Sequence, residues 1–457
     1  MDPHDDLQQT AVADDDSSAG PADAAPRRRM TRTQTLTLIS VASVNFSSMI
    51  CYSILGPFFP AEALKKGASQ TVIGLIFGCY AICNLIGSLI LGKYIVQIGA
   101  KFMLVTGLFV SGCCTILFGL LDRVPAGATF ITLCFLVRSI DAVGFSAAMT
   151  SSFAVTVKIF PNNVATVLGS LEIFTGLGLI LGPPVGGWFY QSFGYEVPFM
   201  LLGCFLLIMV PFNIYILPTL DTDPSKDSFF RLLTHGRIVL ICYVIFTLSA
   251  GLGFLDATLS LYAIETFSLS PGYVGVIMLG LSLPYCLASP LIGYFTDKYP
   301  ATRSWFMVIG SIATAVGFCL LGPVPFLHIP RQLWLLVLML AVIGFSLGMT
   351  AIPTFPEIIM CAYEHGFQEG LSTLGMVSGL FGAVWSMGIF YGPVVGGIIT
   401  QHLSFEWAAA IQGGLAFFGV SISLCSVPSI SREAMQKNTP YCSLISRCDF
   451  QRSKFMV

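Results

Sequence analysis

Between residues 35 and 428 the chain carries only 28 charged side chains in 394 residues. A polypeptide this poor in charge cannot cover a water-facing surface, since an ordinary soluble domain is roughly 25% charged and this whole chain is 10%. It must therefore turn its side chains to lipid. At about 20 apolar residues per crossing the segment accommodates about twelve helices joined by short loops. It lacks the dyad alternation of an outer-membrane barrel. A soluble enzyme, a nucleic-acid binder and a collagen-like chain are excluded on the same ground. The predicted fold class is an all-α membrane protein of twelve transmembrane helices.

The remaining charges crowd the ends. Residues 1–34 hold 11 and residues 429–457 hold 7. The first 26 residues, rich in Asp, Ala and Ser, cannot bury enough apolar surface to fold and are expected to be a disordered tail. Arg27, Arg28, Arg29 and Arg32 precede the first apolar run, which is too long and lacks the small-residue cleavage site of a signal peptide. By the positive-inside bias they hold the N-terminus in the cytosol. Twelve crossings from that start put 17 of the 22 Lys and Arg on the cytosolic side, leaving Lys65, Lys66, Arg123 and Arg331 opposite and Arg138 within a span. Both tails are then cytosolic. None of the 14 cysteines falls in the segments assigned to the far side (58–70, 122–128, 263–272, 400–406), so no disulfide is expected there. The sequon Asn45-Phe46-Ser47 lies inside the first helix, out of reach of glycosylation.

A polar stretch at 219–236 divides the apolar region into a bundle over 35–218 and a bundle over 237–428, and the two are copies. Gly74, Ser88 and Gly92 recur as Gly275, Ser289 and Gly293, shifted by 201 residues. Gly144-Phe145-Ser146 and Met149-Thr150 recur as Gly344-Phe345-Ser346 and Met349-Thr350, shifted by 200. Gly178, Gly182-Pro183 and Gly186-Gly187 recur as Gly388, Gly392-Pro393 and Gly396-Gly397, shifted by 210. An ordered series with a nearly constant offset is the mark of a duplicated unit. Two six-helix copies around a shared midplane cavity imply a transporter that rocks one half against the other.

The motif Gly178-Leu-Ile-Leu-Gly182-Pro183-Pro184-Val-Gly186-Gly187 resembles the antiporter signature of the major facilitator superfamily, in the expected fifth span. Its small residues allow close helix approach and its prolines are expected to bend the helix, helping to seal one half against the other. Gly293-Tyr-Phe-Thr-Asp297-Lys298 resembles the superfamily's cytoplasmic loop motif, whose acid latches a neighbouring helix end. The first copy, Gly92-Lys-Tyr-Ile-Val96-Gln97, keeps the glycine but not the charges, so the latch should be asymmetric.

Ionisable groups inside a bilayer cost at least ~2.5 kcal/mol each and are functional candidates by default. Arg138 and Asp141 stand at i and i+3 on one helix face, as in the superfamily's fourth-helix motif; a proton-coupling pair and a purely structural ion pair both fit. Glu172 has no basic neighbour in sequence, which suits a proton carrier or a cation anchor. Asp256 lies within helix seven, with Glu265 nearer its boundary. Glu357 follows Pro353 and Pro356 in what should be a broken tenth helix. Aromatic faces bind ammonium groups, and Tyr52 shares a helix-one face with Asn45 and Ser48, while Trp385 and Tyr391 lie in helix eleven.

The segments CYSILGPFFP (51–60), NNVATVLGSLE (162–172), QSFGYEVPF (191–199), GFLDATLSLY (253–262) and FEWAAAIQG (405–413) resemble the vesicular amine transporters, most closely their polyamine branch. The resemblance implies an amine-contacting acid at Asp256. The monoamine branch also has an acid in helix one and another in helix eleven, which land on Ser48 and Gly382 here. The repeat sets Glu172 at the place equivalent to Gly382 in the other half, as if one acid had changed sides. The implied function is H+-coupled antiport of spermidine and spermine into acidic secretory or synaptic vesicles. Its partners would be a polycationic substrate, protons, membrane lipid and a vesicular proton pump, with no cofactor, metal or nucleic acid. Tyr441-Cys-Ser-Leu444 fits a tyrosine-based sorting signal for adaptors. A monoamine or broad organic-cation antiporter, and a non-transporting sensor or scaffold, are the alternatives.

Overall fold

The structure, a computed structural model, describes residues 30–55, 59–218, 229–269, 271–324 and 328–419. The N-terminal tail up to residue 29, most of the linker, and the C-terminal tail with its Tyr441–Leu444 signal lie outside the described residues. The first half comprises α1 (Arg32–Ser53), short α2 (Phe59–Lys65), α3 (Gln70–Ile98), α4 (Ala100–Leu120), α5 (Ala128–Ile159), α6 (Val164–Phe193) and α7 (Glu196–Ile216). The second comprises short α8 (Phe229–Leu233), α9 (Gly236–Phe267), α10 (Pro271–Lys298), α11 (Arg303–Leu321), α12 (Leu333–Glu364) and α13 (Leu371–His402). A final helical stretch occupies 405–419. Eleven described helices are long and apolar enough to cross a membrane, and the stretch at 405–419 stands in the place of the twelfth.

Local chemistry sets the ends of these helices. Thr31 starts α1 with a reciprocal capping box: its hydroxyl accepts from the Gln34 N–H, and the Gln34 side chain accepts from the Thr31 N–H, satisfying two donors that helix geometry leaves free. Gly99, at φ 89°, makes the one-residue turn between α3 and α4, a conformation that costs other residues their Cβ clearance. The tenth span is not broken at its prolines. Pro353 and Pro356 both sit inside a continuous α12, because this stretch is buried on nearly every side and packing holds the helix where the hydrogen-bond ladder is interrupted.

The duplication is visible in how the helices pack. α1 lies on α6 as α9 lies on α13, α4 on α5 as α11 on α12, and α3 on α5 as α10 on α12. Equivalent glycines make equivalent contacts: a Cβ on Gly178 would meet Phe46, Met49 and Ile50 of α1, and one on Gly388 would meet Phe246, Ser249 and Ala250 of α9. Gly182 and Gly392 repeat this one turn on, against Ser53 and Ile50 and against Ala250 and Phe254. Gly396 meets the Phe254 ring, whereas Gly187 and Gly397 face open space. The signature motif therefore packs within each half. The small residues serve the intra-half α1–α6 and α9–α13 crossings.

The halves meet elsewhere, α3 on α13 and α6 on α10. A Cβ on Gly92 would lie 2.6 Å from the Gly375 carbonyl oxygen and 2.8 Å from the Gly379 Cα. Gly293 abuts Ala165 and Thr166, and Gly169 abuts Ser289. These contacts belong to the molecular face that carries α8, here termed the linker face. One apolar core at that face mixes both halves, uniting Val41, Ile95, Val155 and Leu168 with Ile241, Ile358, Leu374 and Val377. Toward the opposite face the cores separate, one built from first-half residues such as Leu55, Phe118 and Phe199 and one from second-half residues such as Leu259, Phe318 and Phe405. The molecule is thus closed at the linker face, while toward the other each half keeps its own core. Because backbone atoms cannot retreat from a new side chain, Gly92→Val is expected to prevent this closure. Transport by a well-expressed, monodisperse variant should fall at least about tenfold, an energy of ~1.4 kcal/mol; uptake at the parent level would show that the contact is dispensable.

Only the second copy of the loop motif carries a charged latch. Asp297 accepts from the backbone N–H groups of Ala165 and Thr166 at 3.2 and 2.6 Å and from the Thr166 hydroxyl at 2.7 Å. It thereby caps α6, whose own N-cap residue Asn163 makes no capping bond, and places negative charge at the positive end of the helix dipole. Arg303 holds the same carboxylate at 3.2 Å. At the opposite face all four bases are paired, Lys65 with Glu62, Lys66 with Asp122, Arg123 with Glu196 and Arg331 with Glu406. Glu62, outside the spans, is held below the usual carboxylate range by hydrogen bonds from Lys65 and then from the Tyr190 hydroxyl. That contact is fully formed above the ordinary glutamate value and is lost only as pH falls through the lowered one, so mild acid leaves it intact.

Candidate functional site

Where the cores separate, aromatic rings of both halves meet. Phe153 of α5 stacks on Phe355 of α12 at 5.1 Å and meets Phe381 of α13 at 5.4 Å; Phe355 and Phe381 are 5.5 Å apart. Trp385 stacks on Phe381 at 6.1 Å, one helical turn further from the linker face. Three rings from both halves thus pack together between the bundles.

Among the described residues, two acids without an ion pair stand in the membrane-spanning helices, one in each half. Asp256 of α9 is solvent-accessible although protein surrounds it, and it makes no ion pair among the described residues. Its carboxylate is near enough to interact electrostatically with Tyr52 of α1, across the boundary between halves. Glu172 of α6 is half-buried and has the Tyr285 phenol of α10 as its polar neighbour, again across that boundary. In the first half Tyr52, Tyr80 and Phe145 form an aromatic cluster with centroids 5.7–6.3 Å apart.

The remaining expected residues distribute themselves more widely. Arg138 and Asp141 do form an ion pair, 3.1 Å long, with the Tyr80 ring 4.2 Å from the guanidinium carbon. Asn45 and Ser48 are buried, and Asn45 accepts from Ser152 of α5 at 3.1 Å, so its oxygen is used inside the first half. Tyr391 packs edge-on against Phe246 within the second half at 5.2 Å. Glu357 lies apart, bonded to Arg237 at the start of α9, which also reaches Glu364 at 3.3 Å; this places it in an ion-pair network at the linker face. Glu265 is exposed at the far end of α9. Gly382 faces α3, where a Cβ would lie 2.9 Å from the Ser88 hydroxyl. Beside it Asn84 donates to Ser386 at 2.7 Å.

Sequence reasoning missed Tyr285, Tyr80, Arg237, Arg303 and the three-phenylalanine cluster. Arg303 could have been found as the next cation after the Asp297 motif. Tyr285 could have been found through the repeat, which pairs it with Asn84, since both flank the equivalent positions 172 and 382. The phenylalanines carry no signal among 37 of their kind.

Two duplicated helical bundles that share one core at the linker face and carry acids within their membrane-spanning helices have the build of a transporter rather than an enzyme. The Major Facilitator Superfamily model matches residues 41–360 and 239–439, and the chain belongs to that superfamily. It is 58% identical over 434 residues to the human MFS-type transporter SLC18B1, covering 95% of each chain, and 59% identical over 386 residues to the rat protein of that name, covering 84% and 85%. It is 25% identical over 364 residues to the vesicular acetylcholine transporter of Drosophila melanogaster, covering 77% of this chain and 60% of that one. These relatives set it with the vesicular amine transporters. Among solved structures, the human organic anion transporter MFSD10 superposes with a TM-score of 0.69 at 14% identity, covering 86% of this chain and all of that one, a likeness of fold.

Proposed function

We propose that the chain is a proton-driven antiporter that loads polyamines, spermidine and spermine, from the cytosol into acidic secretory or synaptic vesicles. The observation that carries this reading is the pair of unpaired carboxylates, Asp256 and Glu172, one from each half. A polycation with separated ammonium groups can engage both, while Tyr52 offers a ring face for its charges. With the linker face cytosolic and residues 1–34, 219–236 and 429–457 on that side, the conformation described is the one that releases cargo to the lumen. Loading takes place in the state where the phenylalanine cluster has parted and the opposite face has closed. Protons entering from the lumen weaken the hold on the cation, and the vesicular proton pump maintains the supply.

The similarity to vesicular acetylcholine transporters favours a second reading, antiport of a substrate with one ammonium group. Reconstitution into proteoliposomes with an imposed pH gradient decides between them. Accumulation of radiolabelled spermidine, in excess of serotonin or acetylcholine, is expected. Accumulation of single-charge amines alone would support the second reading, and accumulation of neither would indicate a sensor or scaffold.

A further inference from the structure

Moving away from the linker face along the α3–α13 contact between the halves, Gly92 lies against Gly375 and Gly379, Ser88 against Gly382, and Asn84 against Ser386. Asn84 Nδ2 donates to Ser386 Oγ at 2.7 Å, and the Ser386 hydroxyl gives its only proton to the Gly382 carbonyl at 2.8 Å. With that proton committed, Ser386 Oγ can only accept, which fixes the Asn84 amide with its nitrogen toward Ser386 and its oxygen turned away. That oxygen, Oδ1, is out of contact with solvent and has no hydrogen-bond donor among the described residues. Folded proteins rarely leave a buried acceptor in this condition. The repeat sharpens the contrast, since Asn84 corresponds to Tyr285 at a shift of 201 residues and Gly382 to Glu172 at 210. At the α6–α10 contact a phenol and a carboxylate are neighbours. At the α3–α13 contact the acid is missing, and a neutral carbonyl oxygen stands with its lone pairs unused. Asn84 is one turn along α3 from Tyr80, whose ring centroid is 5.7 Å from that of Tyr52, and Tyr52 in turn feels Asp256.

We propose that Asn84 Oδ1 is a cargo contact that accepts a hydrogen bond from an N–H of a protonated primary or secondary amine, and that it thereby selects such amines over quaternary ammonium ions. The proposal rests on the amine antiport reading and adds a specificity determinant to it. A carbonyl oxygen attracts cationic donors and rejects anions, and its bond is directional, so an N–H must point at it. A quaternary nitrogen carries four carbons and no N–H. Bound at this place it would cover Oδ1 with methyl groups and leave the oxygen both dry and unpaired. A substrate that strands a buried polar group in this way is discriminated against far more strongly than one that merely fits an apolar pocket less well. The other cargo groups cannot make the distinction. The charges of Asp256 and Glu172 attract either kind of cation, and an aromatic face such as that of Tyr52 accepts a quaternary ammonium readily.

The test is competition against radiolabelled spermidine, accumulated in proteoliposomes under a pH gradient, by spermine and by spermine methylated to a quaternary centre at every nitrogen. The readout is the ratio of the two half-inhibitory concentrations, which a loss of folded or active protein does not alter. The parent is expected to favour spermine at least about tenfold, and Asn84→Ala to reduce that preference about tenfold by weakening spermine and not its quaternary analogue. Ser386→Ala, which removes the partner of the amide and keeps its oxygen, should retain the parental ratio. Asn84→Asp, which keeps an acceptor of the same shape and adds charge, should hold spermine at least as tightly as the parent does. A parent without preference, a preference unchanged in Asn84→Ala or equally lost in Ser386→Ala, or spermine weakened in Asn84→Asp as in Asn84→Ala, would overturn the proposal. If the parent accumulates spermidine and the ratio ignores Asn84, only this contact fails; if the parent accumulates none, the antiport reading fails and the contact falls with it.

Discussion

Asp256→Asn is expected to abolish polyamine uptake driven by a pH gradient while the protein folds and reaches its membrane normally. The carboxylate makes no ion pair among the described residues and is solvent-accessible, so its neutralisation leaves no buried cation uncompensated. This separates it from Asp141, whose loss would orphan the buried Arg138 at ~3–5 kcal/mol for a buried pair. What Asp256→Asn removes is a contact to cargo. A charge-assisted contact contributes ~1.5–3 kcal/mol, or roughly ten- to hundredfold in binding, and the driven cycle loses more because release also depends on that charge. The measurement is initial uptake of radiolabelled spermidine in proteoliposomes, normalised to protein that elutes as a single peak. Parent-level uptake by a well-folded variant would take Asp256 out of the site.

The acids were legible in the sequence because a charge in an apolar run stands out whatever its partner. Their partners were not, because partnership depends on which helices cross. Arg237 meets Glu357 across 120 residues, and Asn84 meets Ser386 across 302. The repeat supplied part of that missing information: a shift of about 200 residues maps the α1–α6 crossing onto α9–α13, so one glycine contact predicts its twin. It could not say whether a glycine stripe serves a contact within a half or between halves, since both need the same small residues. The prolines of α12 misled for a different reason. Local propensity favours a break there, and burial on nearly every side overrides it.

Glu172→Gln is expected to depress spermine transport far more than any transport of a single-charge amine such as serotonin. A substrate with several ammonium groups needs anionic contacts on both halves, while a one-amine substrate can be held by Asp256 alone. Loss of one contact should therefore cost spermine about ten- to hundredfold and serotonin little. The duplicated architecture offers the reciprocal test, since Gly382 is the position equivalent to Glu172. That glycine is not free to accept a carboxylate unaided: a Cβ there lies 2.9 Å from the Ser88 hydroxyl and 3.2 Å from its Cβ, tighter than ordinary contact. The transposition thus needs three changes, Glu172→Gly, Gly382→Glu and Ser88→Gly, the last to clear the α3 surface. Tyr285 then faces no acid, Asn84 takes its place as the polar neighbour, and the acid comes to the same half as Asp256. With both charges on one wall, a long polycation loses its second anchorage and preference shifts toward shorter amines. Equal losses for spermine and serotonin in Glu172→Gln would instead assign that carboxylate to proton handling or folding, and the selectivity argument would fail.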